Sequence, residues 1–158
     1  MYRFLVVALA ALVAGCGFQL QGALTTPAEM QRTYIAADDH YSLFYRALRV
    51  RLQAAGVDLV DSAADSTATF SILFDETDQR VLSVSARNVP TEYEVFYTIR
   101  YTIDSGQRKL LENQLLTVTR DYTYDSTLVL GKAREEELMR AAIVDDLVRI
   151  VLKQISSL

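Results

Sequence analysis

The stretch Tyr93-Glu94-Val95-Phe96-Tyr97-Thr98-Ile99-Arg100-Tyr101-Thr102-Ile103 decides the fold. Tyr93, Val95, Tyr97, Ile99, Tyr101 and Ile103 occupy one parity, and Glu92, Glu94, Thr98, Arg100 and Thr102 the other. A period of two puts alternate side chains on opposite faces, so this is a strand with one buried and one wet face. Asp104-Ser105-Gly106-Gln107 follows as a hairpin turn, glycine supplying the positive φ. Residues 109–123, rich in Leu, Thr and Val, return as the next strand. Upstream, Phe70, Ile72 and Phe74 share parity with Leu82, Val84 and Ala86, which predicts an apolar face at both ends of an earlier β segment. Its polar middle, Asp75 to Arg80, reads as a bend or a stretch projecting beyond the core.

Helices flank this β region. Thr33 to Ala37 is a short strand candidate, and Asp38-Asp39 offers an N-cap. Leu43, Phe44, Ala47, Leu48, Arg51, Leu52 and Ala55 then recur at helical spacing until Gly56. Val57 to Val60 is a further short strand candidate, and Asp61 to Ser66 a loop. From Gly131 the period changes, and Leu138, Ala141, Val144, Val148, Val151, Ile155 and Leu158 form a helical stripe. The expected fold is a single α+β domain, with two helices packed on one face of a mostly antiparallel sheet of about four strands.

The amino terminus carries an address. Arg3 precedes the unbroken apolar run Phe4 to Ala14, which is too short for the roughly 20 residues of a membrane-crossing helix. Val13-Ala14-Gly15 then leads into Cys16, the only cysteine of the 158 residues. That pattern is a lipoprotein signal peptide, cut before Cys16, with the cysteine acylated. Three acyl chains hold a protein on a membrane far more firmly than one. The domain reading is therefore a cleaved signal peptide at 1–15, a lipidated tether at 16–32 containing Gly17, Gly22 and Pro27, and an α+β domain at 33–158. With its thiol acylated the chain has no disulfide, and the domain stands on its core. The formal charge is −4 and becomes more negative when Arg3 is removed, which argues against a nucleic-acid partner.

Catalytic and metal signals are sparse. The single histidine, His40, lies near Asp38, Asp39 and Ser42, but a histidine in a capping turn is usually exposed polar structure, and one cannot build a typical zinc site. Asp75-Glu76-Thr77-Asp78 lacks the glycine and distal glutamate of an EF-hand loop and reads as a solvated strand surface. No glycine-rich phosphate loop is present, so the expectation is no catalytic residue, no metal and no cofactor. Arg120, Tyr122 and Tyr124 close the last strand and are candidates for a partner contact, because aromatic rings are enriched at interfaces; core-edge packing is the competing reading. Arg87 precedes Asn88-Val89-Pro90 at a turn tip. Lys132 opens the last helix, where a cation opposes the helix dipole and adds nothing to local stability.

Cys16-Gly17-Phe18-Gln19-Leu20-Gln21-Gly22, then Pro27 and Met30, then Leu43, Arg46-Ala47-Leu48-Arg49, Leu52 and Gly56-Val57 resemble the LPS-assembly lipoprotein family, LptE. Arg87-Asn88, Thr91-Glu92-Tyr93, Val118-Thr119-Arg120 and Leu130-Gly131-Lys132 follow in the same order. The resemblance implies two helices against a sheet. It implies a non-enzymatic outer-membrane lipoprotein, lipid-anchored in the inner leaflet, periplasm-facing and seated as a plug inside an LptD-type β-barrel that delivers lipopolysaccharide to the outer leaflet. Gly17 in place of an aspartate after the cysteine agrees with that membrane. The resemblance also implies direct lipopolysaccharide binding, carried here by Arg87 and Lys132. A periplasmic lipid-carrier lipoprotein and a periplasmic hydrolase are the alternatives.

The anchor is directly testable. Cys16→Ser is expected to leave an uncut, unlipidated precursor, and mass spectrometry of the wild-type chain should find the mature terminus at an acylated Cys16; a terminus elsewhere contradicts the signal reading.

Overall fold

The computed structural model describes residues 26–106, 108–124 and 129–158, with side chains resuming at 134 after the gap at 125–128. The signal peptide, Cys16 and the tether up to residue 25 lie outside the described residues. In chain order the elements are β1 (Arg32–Ala36), α1 (Leu43–Ala54), β2 (Asp58–Val60), β3 (Ala68–Val84), β4 (Pro90–Ser105), β5 (Arg108–Thr123) and α2 (Val129–Ile155). Short 3-10 turns form at Ala28–Met30 and Ala63–Asp65, the second within the stretch read as a loop. Met30, in the segment assigned to the tether, is fully buried in the core.

The α+β expectation holds, with one correction: the sheet has five strands, in the order β2-β1-β3-β4-β5. The additional strand is the short Asp58–Val60, which pairs parallel to β1, and β1 is also parallel to β3. The sheet is therefore mixed, and its long antiparallel part is β3-β4-β5. The β4 alternation is as read: Val95, Tyr97, Ile99, Tyr101 and Ile103 are buried, and Gly106 turns the hairpin at φ +57.

Both helices lie on the buried face. Ser42, not Asp38 or Asp39, caps α1, its hydroxyl accepting from the Tyr45 amide at 3.0 Å. Asp39 instead accepts from the Tyr41 amide in the preceding turn. Gly56 ends the helix in the left-handed region at φ +85. Phe44, Leu48 and Leu52 of α1 meet Ile143, Val144, Leu147, Val148, Val151, Leu152 and Ile155 of α2 in one core with Phe70, Ile72 and the inward residues of β4. The stripe on α2 is rotated from the expected one. Ile143, Leu147 and Leu152 belong to it, whereas Leu138, Ala141 and Leu158 are exposed.

The main departure is in β3. A register shift between Ile72 and Phe74 leaves Leu73 as the extra residue, so Ile72 pairs with Tyr101 while Phe74 pairs with Arg100. Directly paired residues share a face, and after the bulge Asp75, Thr77 and Gln79 pair with Ile99, Tyr97 and Val95. The polar middle is thus continuous strand and not a bend: its odd residues face the helix side, Asp75 and Thr77 half-buried and Gln79 exposed at the rim. Leu82 and Val84, expected on the apolar face, are exposed.

Each inward polar residue has a partner. Asp75 accepts from the Ser42 hydroxyl and, at 2.6 Å, from the Tyr97 phenol, which accepts from the Phe44 amide. Thr77 accepts from Arg140 of α2 at 2.9 Å and donates to the Phe96 carbonyl. Gln79 accepts from the Tyr122 phenol at 3.2 Å. Arg51 of α1 pairs with Asp145 of α2 at 2.6 Å, and Arg120 of β5 with Asp146. Hydrogen bonds from Arg149 and Arg120 hold the Asp146 carboxyl below its ordinary value. The Tyr97 phenol is pushed well above its ordinary value, first by burial and then by the Asp75 bond and charge; burial alone does the same to Tyr101.

Two outcomes follow from this packing. Val148 is 1% exposed, so Val148→Asp strands a charge in the core and is expected to cost about 3 kcal/mol or more. Leu138→Asp, at a position 56% exposed, should leave the melting temperature almost unchanged; equal effects contradict the helix-on-sheet packing. In alkali, the raised phenol values mean that the stability from neutral Tyr97 and Tyr101 is complete below the unfolded tyrosine value of about 10. It is lost as pH rises from there towards the folded values. Melting temperature should therefore decline above about pH 10, less steeply in Tyr97→Phe, and buried phenols that titrate with the exposed ones in the folded chain contradict the account.

Candidate functional site

The β3–β4 hairpin ends in a turn built by three local bonds. The Ser85 amide donates to the Val89 carbonyl at 2.8 Å, the Asn88 amide to the Ser85 carbonyl at 2.9 Å, and the Val89 amide to the Ser85 hydroxyl at 3.2 Å. Asn88 takes φ +59, a left-handed conformation that asparagine tolerates better than most residues. Arg87 sits in this turn, exposed, as the sequence predicts. Among the described residues it joins no ion pair, unlike Arg51, Arg80, Arg120 and Arg140.

The topology brings the last helix to the same end. Glu92, two residues into β4 from Pro90, pairs with Thr123 at the end of β5, and the Tyr124 amide donates to the Thr91 carbonyl at 2.8 Å. The chain therefore leaves the sheet beside the hairpin tip. Residue 132 lies in the first turn of α2. One turn on, Glu135 lines a groove of about 370 Å³ with Met139, Tyr122, Leu82 and Glu92. Helix start and hairpin tip thus share one end of the molecule; the side chain of Lys132 is outside the described residues.

Arg120, Tyr122 and Tyr124 make intramolecular contacts. Arg120 faces the helices and reaches Asp146 at 2.6 Å. Tyr93 stacks on Tyr122 at 5.7 Å between centroids and meets Tyr124 edge-on at 5.3 Å. A second trough of about 580 Å³ runs between β5 and α2, rimmed by Arg120, Asp121 and Glu135 with Leu138 and Met139 on its wall. It is a surface trough and not the enclosed apolar cavity that a lipid carrier needs.

The other candidates resolve on geometry. Ser42 is committed to Asp75 and to capping α1, while His40 stacks on Tyr45 at 4.8 Å, so the two do not form a nucleophile and base pair. Asp75 points inward and Glu76 and Asp78 outward, so the acidic run does not converge on a cation. Among the described residues no group of three or more His, Cys, Asp or Glu side chains is arranged to hold a metal ion, and no helix is long and apolar enough to cross a membrane. Sequence reasoning missed the inward network of Asp75, Thr77, Gln79 and Arg140. All six residues from Asp75 to Arg80 are polar, so no alternation marked which of them turn inward.

The uncovered sheet face is polar and ordered by cross-strand contacts. Arg80 pairs with Glu94 and lies 5.7 Å over Phe96, Arg100 lies 5.8 Å over Phe74, and Thr98 bonds Thr117 at 2.9 Å.

Comparison with known proteins gives this geometry a lineage. The family model described as LptE, lipopolysaccharide-assembly, matches residues 30–155. LPS-assembly lipoprotein LptE of Pectobacterium atrosepticum is 27% identical over 138 residues, covering 86% of this chain and 74% of the relative. That of Yersinia pestis is 26% identical over 153 residues, covering 96% and 73%. The solution structure of lipoprotein B from Nitrosomonas europaea superposes with a TM-score of 0.73 at 26% identity, covering 89% of this chain and 91% of that one. Rare lipoprotein B from Shewanella oneidensis shares the fold, with a TM-score of 0.70 at 24% identity over 80% of this chain and 94% of its own. With the match spanning both helices and all five strands, this chain belongs to the LPS-assembly lipoprotein family, LptE.

Proposed function

We propose that this protein is a non-enzymatic outer-membrane lipoprotein that plugs an LptD-type barrel, assists its assembly and binds lipopolysaccharide for insertion into the outer leaflet. On this reading residues 1–15 are removed, Cys16 carries the acyl chains in the inner leaflet, and the segment from residue 16 tethers the domain, joining its core at Met30. The observation that carries the reading is the hairpin tip: an exposed Arg87 without an ion pair among the described residues, at the end of the molecule where α2 begins. Lipid A phosphates suit that end, because a guanidinium binds phosphate bidentately and an ammonium adds a point charge. The polar outer sheet face, with Glu94, Thr98 and Arg100, suits the polar lumen of a barrel. Membership of a family whose relatives are named for lipopolysaccharide assembly supports the same role.

The residues are tested by charge reversal. Arg87→Asp/Lys132→Asp replaces two attractions by two repulsions, each worth about 1 kcal/mol or more for an ionic hydrogen bond. The expected result is clearly weaker lipopolysaccharide binding, with melting temperature and barrel co-purification nearly unchanged. Added salt should weaken wild-type binding in parallel. Unchanged binding in the double variant removes both residues from the site and leaves the plug role alone.

A further inference from the structure

From Val81 to Thr91 the chain contains no acidic residue and one charge, Arg87, although the whole protein is acidic. The same segment holds four aliphatic side chains, Val81, Leu82, Val84 and Val89, each between 44% and 53% exposed. Single exposed aliphatics are ordinary; four within nine residues around a lone cation are not. Two register shifts, between Val81 and Ser83 and between Ser83 and Val84, displace the strand here and leave Val81 and Leu82 exposed in succession. The tip is nonetheless held in shape. The Ser83 hydroxyl contacts Thr91 and Glu92 at 2.8 Å, and the Ser85–Val89 bonds close the turn.

We infer that the β3–β4 tip binds the acyl chains of lipopolysaccharide on Val81, Val84 and Val89 while Arg87 holds an adjacent phosphate. The inference rests on the lipopolysaccharide reading above and deepens it, assigning the hydrocarbon part of the ligand to residues of its own. Charge complementarity selects the occupant: a guanidinium among aliphatic side chains matches an amphiphile whose anionic group adjoins its chains. Shape agrees. The tip is made of two strands and one closed turn, a small element beside the roughly 800 Å² per partner of a stable protein interface, and suits insertion among acyl chains. Leu82 also lines the groove with Tyr122 and Met139, so its loss disturbs internal packing and it is left out of the test.

The test is Val81→Thr/Val84→Thr/Val89→Thr in the full lipidated chain, because threonine keeps the branched shape and strand preference while adding a hydroxyl. Binding is measured in mild non-ionic detergent to immobilised lipopolysaccharide, to its fully deacylated phospho-oligosaccharide and to phosphatidylglycerol vesicles, with melting temperature as the folding control. The triple variant should bind intact lipopolysaccharide about tenfold more weakly and the deacylated form as the wild type does, whereas Arg87→Gln should weaken both. Wild-type affinity for intact lipopolysaccharide in the triple variant overturns the inference and leaves the phosphate site standing. An equal loss on phosphatidylglycerol vesicles overturns it in favour of a general membrane surface. Failure of the wild-type chain to bind lipopolysaccharide at all removes the parent reading and this inference with it.

Discussion

A single extra residue in β3, Leu73, governs the arrangement of the molecule. Without that bulge, strand parity would carry Phe74 inward and turn Asp75, Thr77 and Gln79 to solvent. With it, the apolar first third of the strand serves the core under Phe44 and Val148, and the polar middle passes beneath the helix ends. Asp75 and Thr77 are half-buried and Gln79 is exposed at the rim, and their partners come from separate elements: Ser42 at the cap of α1, Arg140 on α2 and Tyr122 on β5. The bulge thus converts a stretch of strand that could not join an apolar core into the fastening for both helices.

Those fastenings set where the tip stands. The apolar grip on α2 lies along Ile143 to Ile155, where Arg120 also reaches Asp146, while the turn before it is tied to β3 by Arg140. A partly exposed ion pair such as Arg120–Asp146 adds little stability by itself, but together with the Arg140–Thr77 hydrogen bond it fixes the direction of α2. It must run back along β5 to the end where β3 and β4 turn. The consequence is one end of an acidic domain that carries an exposed cation, a helix start and exposed aliphatic side chains, the combination on which the proposed lipopolysaccharide role depends.

What was legible in the sequence followed from periodicity, and what was not followed from breaks in it. The β4 alternation, both helices and the Gly106 turn are local patterns, so they could be read directly. Val57 to Val60 reads as a short strand candidate, but its place as the fifth strand, parallel to β1, is a long-range pairing that no local period shows. The Ser42 cap was obscured by the Asp38-Asp39 pair upstream, and Ser42 also donates to Asp75, a contact 33 residues away that no local pattern shows. The polar run of β3 looked like surface because nothing local announces a bulge. Of the candidate site residues, the place of Arg87 in a turn was legible from Asn88-Val89-Pro90 and that of Arg120 from the strand end, while the ligand proposed for Arg87 is what the family resemblance implies. The inward contact of Arg120 with Asp146, by contrast, depends on where α2 crosses the sheet.

The account's central claim is that the hairpin tip and the start of α2 form one lipid-facing end. The most direct measurement is an amide NMR titration of the isotope-labelled full chain in detergent with lipopolysaccharide. The account predicts shifts concentrated at residues 81–91 and in the first turns of α2, with the cleft around His40, Tyr45 and Arg49 silent. Shifts centred on that cleft, or spread along the outer sheet face with the tip unmoved, would contradict it.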